Sequence, residues 1–363
     1  MNIERIQLNY FRNYVNQAVE LCPGVNVFSG NNAQGKTNLL EAVYLMSLGK
    51  SMRTPRDKEL ILWDKPRGRV RAEIRKRTGV RTVEIVIDRE VNKRVAINSM
   101  PITRIGELMG VLTTVLFSPD EIGIIKETPK ERRRFIDIAL CQLSKSYFYY
   151  LSDYNKILAQ RNKLLKRSAP ESALEVWDMQ MAVKGARISK TRQEFVLRVE
   201  RLAAKTHDFI SGGKEKLSVS YEGVTGNSVE EIQAEILLKL KENRELDYRH
   251  GYTHSGVQTD DLKVSLDGVD VRKFGSQGQQ RSCALSLKLA EMELYREEQG
   301  EYPVLLLDDV FSELDVTRRQ KLCEAVSGYQ TIITCTHLEP ELKEFLGEYR
   351  EFSVEKGSIT RKN

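Results

Sequence analysis

Histidine and cysteine are scarce. The chain has 4 His and 5 Cys, and Cys22, Cys141, Cys283, Cys323 and Cys335 form no CxxC pair. This excludes a zinc finger and a disulfide-built scaffold, and it reads as buried, reduced thiols of a cytoplasmic protein. Long apolar runs are missing too. The most apolar stretch, 304–307, is stopped at once by Asp308 and Asp309, far short of the ~20 residues a bilayer span needs. The opening MNIERIQLNYFRNY mixes charges and Asn with apolar residues, so no secretory signal is expected. Neither charge sign dominates. The 57 Lys+Arg and 51 Asp+Glu leave +6, so any polyanion-binding surface has to be local. With 40% hydrophobic residues and only 9 Pro in 363 residues, the chain can bury a real core and divide into two or three domains.

The first 117 residues read as strand-rich α/β. Val25-Asn26-Val27-Phe28-Ser29 is a short apolar strand, residues 38–48 follow as a helix, and 70–74 and 81–88 alternate about Thr78-Gly79 as a hairpin. The middle changes character. Leu143, Tyr147, Tyr150, Tyr154, Ile157 and Leu164 fall at steps of four and three, with Arg161 in the skipped slot. After Ser168-Ala169-Pro170 a second seam runs through Leu174, Trp177, Met181, Ile188, Phe195 and Leu202, with Lys184, Thr191 and Arg198 in its skipped slots. Two helices joined by so short a turn run antiparallel, an arm about 33 Å long. From 262 the pattern returns to α/β: a strand at 262–266, a helix from 279 to 299, a strand at 303–307 and a helix from Val316.

Chemistry enters at Gly30-Asn31-Asn32-Ala33-Gln34-Gly35-Lys36-Thr37, which fits G-x-x-x-x-G-K-[ST] between a strand and a helix. Its glycines let successive N–H groups curl around phosphate, Lys36 can bridge β- and γ-phosphates, and the Thr37 hydroxyl is placed to ligate Mg²⁺. The run Val304-Leu305-Leu306-Leu307-Asp308-Asp309 supplies the acidic partner: Asp308 for the metal and Asp309 to polarise the attacking water. One Mg²⁺ must touch both Thr37 and Asp308, so the two ends of the chain fold together around an inserted middle. Ser276-Gln277-Gly278-Gln279 opens a long helix and offers a second anion site or a plain N-cap. Ser312-Glu313-Leu314-Asp315 follows Asp309, and His337 follows the apolar strand Thr331-Ile332-Ile333-Thr334.

In that order, these motifs resemble the ABC-type ATPases of the SMC and Rad50 group. The chain is similar in particular to the RecF recombination and repair family, through Phe11-Arg12-Asn13-Tyr14, Lys50-Ser51-Met52-Arg53-Thr54, Phe117-Ser118-Pro119-Asp120, Gly275-Ser276-Gln277-Gly278-Gln279-Gln280-Arg281 and Asp308-Asp309-Val310-Phe311-Ser312-Glu313-Leu314-Asp315. The resemblance implies an α/β ATPase head made from residues 1–117 and 257–363. A mainly helical lobe at 118–256 is inserted in it and carries the antiparallel coiled-coil hairpin. Three departures stand out. Pro119 occupies the place of a metal-ligating glutamine, with Asp120 or Glu121 as substitutes. Gly256-Val257-Gln258-Thr259-Asp260-Asp261 lacks the family's His-Arg, and Asp309 replaces a glutamate, which suggests slow hydrolysis.

The resemblance further implies ATP and Mg²⁺ as cofactors and a head-to-tail homodimer. Arg12 and residues 30–37 of one copy, with Ser276, Gly278 and Gln279 of the other, enclose each nucleotide, while Asp315 and His337 sense the γ-phosphate. Lys36, Asp309 and His337 are the expected catalytic set for a weak, DNA-stimulated ATPase. It implies binding to double-stranded DNA near single-strand gaps, RecO- and RecR-like partners, and help in loading recombinase. Candidate phosphate contacts are Lys50, Arg53 and Arg56 after the first helix, and Arg75, Lys76 and Arg77 at the hairpin. Competing readings are an SMC-like structural DNA tether, which a 33 Å arm ill suits, a transporter cassette, and a non-catalytic ATP-gated clamp.

Overall fold

The computed structural model describes residues 1–362. The N-terminal segment forms β1 (Asn2–Phe11), β2 (Tyr14–Glu20), β3 (Val25–Ser29), β4 (Arg67–Lys76), β5 (Gly79–Asp88), β6 (Arg94–Ile97), β7 (Met100–Pro101) and β8 (Thr114–Phe117). The middle adds β9 (Leu217–Glu222), β10 (Asp261–Leu266) and β11 (Val269–Asp270), and the last segment adds β12 (Val304–Asp308), β13 (Thr331–Cys335), β14 (Tyr349–Glu355) and β15 (Ser358–Arg361). Strand chemistry sorts them into sheets. β3, β8, β12 and β13 are mostly apolar and buried at every residue but Asp308, as strands of a parallel sheet covered on both faces must be, and their sheet has the order β15-β14-β3-β13-β12-β8. Alternating strands such as β4 bury one face only, in the antiparallel sheet β2-β1-β4-β5-β6-β7. Since β3 is hydrogen-bonded to β13 on one side and β14 on the other, the two ends of the chain share one sheet.

The chain divides into two compact units. One comprises Met1–Ile122, Phe209–Gly213 and the residues from Leu285 onward; the other comprises Gly123–Asp208 and Lys214–Ala284. This division falls elsewhere than the sequence boundary between 256 and 257. Residues 257–284 join the helical unit because β10 pairs with β9, Leu262 opposite Tyr221, and because Arg132 and Arg192 hold Asp261 and Asp260.

In that unit the helices Lys145–Lys166 and Glu171–Ser211 run antiparallel. Arg161 Nε meets Asp178 at 2.6 Å, Lys184 and Arg187 lie over the Tyr150 ring, and Arg192 Nε meets the Tyr147 hydroxyl at 3.0 Å. The second helix has 41 residues, about 62 Å, and so is longer than the expected arm. Its seam also differs from expectation. Trp177, Lys184, Thr191, Arg198 and Leu202 are half-buried, whereas Asp178, Gly185, Arg192 and Val199 are buried beside Leu174, Met181, Ile188 and Phe195. The intermediate position lies four residues beyond each large apolar residue, not three. Asp178 and Arg192 look like surface residues in sequence. Pairing reverses that: Arg161 is bonded to Asp178 and Asp247, each at 2.6 Å, and Arg192 to Asp260 at 2.7 Å and Asp137 at 2.8 Å. Buried charge is tolerated there because each ion has its counter-ion.

Candidate nucleotide site

Parallel pairing brings the C-terminal ends of three strands to one edge. Ser29 lies opposite Cys335, and Thr334 lies opposite both Phe28 and Asp308. From that edge Gly30 donates its N–H to the Thr336 carbonyl at 3.1 Å, and the loop 30–35 leads into the helix Lys36–Leu48. Such an edge is where open α/β sheets take their ligands.

Here Thr37 and Asp308 meet across the whole sequence. The Thr37 hydroxyl donates to Asp308 Oδ1 at 3.0 Å, and the Thr334 hydroxyl donates to the same oxygen at 2.6 Å. The Lys36 ammonium donates to the carbonyls of Gly30 at 2.5 Å and Asn31 at 2.9 Å, folding back over its own loop. Burial lowers its pKa, opposed by Asp309, Cys335 and Asp308. Asp309 adopts φ +52°, a left-handed conformation that Asp tolerates, and its N–H donates to the Thr334 carbonyl at 3.1 Å. Burial pushes the Asp309 carboxyl above the usual carboxylate range, with Lys36 opposing and Asp308 and Glu313 adding.

The loop is braced by residues to which sequence reasoning gave no task. Asn13 Nδ2 and the Gly357 N–H both donate to the Gln34 carbonyl, at 2.8 and 3.1 Å, the Lys356 N–H donates to Gln34 Oε1 at 2.7 Å, and the buried Tyr14 hydroxyl donates to the Gly35 carbonyl at 2.8 Å. Gly35 has φ +117°, and a Cβ on it would approach the Asn13 amide to 2.6 Å. Lys356-Gly357, both at positive φ, form the tight turn between β14 and β15.

Other expected residues fall as follows. Asn31, Asn32 and Ala33 are exposed on the loop. Arg12 is bidentate to buried Glu41 of the helix that follows the loop, both bonds 2.8 Å, and also donates to the Glu59 carbonyl at 2.9 Å, so its guanidinium is held by protein groups. His337 is 75% exposed, 3.9 Å from Glu339. Asp315 caps the helix Val316–Val326 through the Arg318 N–H at 2.9 Å; burial raises its pKa, but this bond and the Arg318 guanidinium outweigh it and hold the carboxyl below the usual range. Glu121 is 3.5 Å from Lys288, an ammonium it shares with Glu291, and Asp120 is exposed.

In the other unit, Ser276 and Gln279 form a reciprocal capping box on the helix Gln277–Gln299. Ser276 Oγ accepts the Gln279 N–H at 3.2 Å and Gln279 Oε1 accepts the Ser276 N–H at 2.8 Å. The plain-cap reading therefore holds in this state, and the hydroxyl hydrogen of Ser276 is not used by that pair. The Gly278 carbonyl accepts from the Ser282 hydroxyl at 3.0 Å.

The six basic candidates divide. Arg75 pairs with Glu4 at 2.5 Å, Lys76 with the Gly110 carbonyl at 2.8 Å and Glu301 at 3.7 Å, and Arg77 with the Gly300 carbonyl at 3.2 Å. These three brace the hairpin. Arg53 contacts Asn38 at 3.0 Å and Arg56 is 3.6 Å from Glu59, and these two with Lys50 are exposed.

Strand, phosphate-type loop, helix and an acidic strand end, assembled from both ends of the chain around a helical lobe, define the head of an ABC-type ATPase. The chain matches the RecF/RecN/SMC N-terminal domain over residues 2–359. It is 41% identical over 361 residues to the DNA replication and repair protein RecF of Clostridium perfringens and 44% identical over 372 residues to that of Halothermothrix orenii, covering 99% of both chains in each case. It superposes on the structure of the recombination mediator protein RecF-ATPrS in the RecFOR pathway with a TM-score of 0.93 at 36% identity, covering 100% of this chain and 98% of that one. An Smc head bound to the C-winged helix domain of ScpA, at 14% identity and TM-score 0.60, shares the fold; the match covers 100% of this chain and 97% of that one. The chain belongs to the RecF family of DNA replication and repair proteins.

Proposed function

We propose that this chain is an ATP-gated DNA-binding protein whose two copies pair head to tail over two nucleotides. The observation that carries the reading is the meeting of Thr37, Asp308 and Lys36 at one sheet edge. A hydroxyl and a carboxylate oxygen 3.0 Å apart form a hard-oxygen set suited to Mg²⁺, which when bound neutralises charge on the phosphates. Lys36 exchanges its two loop carbonyls for β- and γ-phosphate oxygens, and the N–H groups of 30–37 cradle them. Asp309, whose raised pKa suits proton acceptance, polarises the attacking water. Arg12, bonded to Glu41 of the helix that follows the loop, is part of the nucleotide-binding set.

Ser276 and the Gly278 N–H of the second copy close on the γ-phosphate, with Gln279 holding Ser276 in place, and Asp315 and His337 respond to it across the interface. ATP thus favours the dimer and slow hydrolysis releases it. Double-stranded DNA beside a gap binds through Lys50, Arg53 and Arg56, without base reading and with steep salt dependence. RecO- and RecR-like proteins are the expected partners in loading recombinase.

The test is complementation in sedimentation. With ATP and Mg²⁺, Lys36→Ala and Ser276→Arg proteins stay monomeric alone and form a dimer when mixed, because one composite site is then intact. A mixture with no more dimer than the separate proteins, or equal dimer with ATP and ADP in Asp309→Asn protein, refutes the shared site.

A further inference from the structure

We propose that Phe274 is the apolar anchor by which one copy of this chain seats on a second copy, beside Ser276; the inference rests on the ATP-dependent pairing proposed above. Phe274 is 74% exposed, yet it is not on a loose segment. It ends the short helix Val271–Phe274, whose first residue, Val271, is buried. The Asp270 side chain accepts the Arg272 N–H at 2.8 Å and starts that turn. At its other end the Val271 carbonyl accepts both the Gly275 N–H at 3.0 Å and Gln280 Nε2 at 3.1 Å. A Cβ on Gly275 would come within 2.6 Å of that carbonyl oxygen, so glycine allows the turn to close this tightly.

The ring is therefore presented on a fixed support. Two residues on, Ser276 is fixed as well, by its reciprocal bonds with Gln279. Two residues span at most about 7 Å of backbone and both side chains are exposed, so a surface that receives the Ser276 hydroxyl comes within reach of Phe274. If Ser276 closes the second copy's nucleotide, that surface is the second copy. The flanking side chains agree: Arg272, Lys273 and Gln277 are exposed around the ring. A large aromatic within a polar, cationic rim is the composition of an interface anchor, and the cations complement a surface that carries triphosphate. Two-fold pairing uses the anchor twice.

The assay is sedimentation velocity of full-length protein in the Asp309→Asn background with ATP and Mg²⁺, comparing Phe274 with Phe274→Ala and Phe274→Leu. Truncation to Ala is expected to weaken dimerisation by at least about tenfold, with Leu intermediate and the thermal melt of each variant unchanged, because the side chain is exposed. If the parent pairs and Phe274→Ala pairs at the same protein concentration, the anchor role is refuted while the shared site stands. Loss of DNA binding without loss of dimer refutes it equally and assigns the ring to nucleic acid. A parent that stays monomeric with ATP refutes the pairing itself, and the anchor with it.

Discussion

Gly357 lies 321 positions from Lys36, yet Gly357→Ala is expected to weaken ATP binding. Gly357 has φ +74°, where an L-residue costs about 1–2 kcal/mol. An added Cβ would also overlap the Asn13 carbonyl oxygen, which is backbone and cannot swing aside. The β14–β15 turn must then retreat, and with it go the Gly357 N–H bond to the Gln34 carbonyl and the Lys356 N–H bond to Gln34 Oε1. At about 0.5–1.5 kcal/mol each, these bonds hold the phosphate-type loop in place with about 1–3 kcal/mol. With 1.4 kcal/mol per factor of ten, ATP affinity falls about 5- to 140-fold. Gly347→Ala is the matched control: its φ is +64°, but nothing lies within 4 Å of its added Cβ, so it carries backbone strain without a collision. Calorimetric titration of ATP into both variants, at concentrations that keep the protein monomeric, decides the matter. Equal ATP affinity in the two variants refutes the bracing argument.

Two further perturbations probe the buried charges and the site. Arg192→Ala takes from Asp260 and Asp137 the guanidinium bonded to both, a loss of about 3–5 kcal/mol, or about 6–20 °C in the melting of the helical unit by differential scanning calorimetry. Because burial already raises Asp260 against the pull of Arg192, the variant's carboxyl takes up a proton more readily and its deficit shrinks as the pH falls; a shift below about 3 °C at neutral pH contradicts this. If Asp309 is the base proposed above, it acts ionised; because burial raises its pKa, the acid limb of single-turnover ATP hydrolysis is expected above the ordinary aspartate value of about 3.9. Glu313→Gln removes a charge that raises it and moves the limb to lower pH; an unmoved limb removes Asp309 from the role of base.

The sequence by itself determined the local chemistry. Residues 30–37 between an apolar strand and a helix specify a phosphate loop, and a run of four apolar residues ending in Asp308 specifies a doubly covered strand with carboxylates at its tip, because strand burial and loop geometry depend on near neighbours in sequence. The antiparallel hairpin was legible from Leu174, Met181, Ile188 and Phe195 for the same reason. Its second stripe was not, since Asp178 and Arg192 are buried only by virtue of Arg161, Asp247, Asp137 and Asp260, none of which is their neighbour in sequence. Nor could spacing show that Asn13, Tyr14 and Gly357 clamp the loop, or that Arg75, Lys76 and Arg77 are tied to Glu4, Glu301 and backbone carbonyls. The tertiary structure decided these matters because a hydrogen bond or ion pair depends on distance through space, and the sheet that inserts β3 between β13 and β14 brings together residues some 300 positions apart.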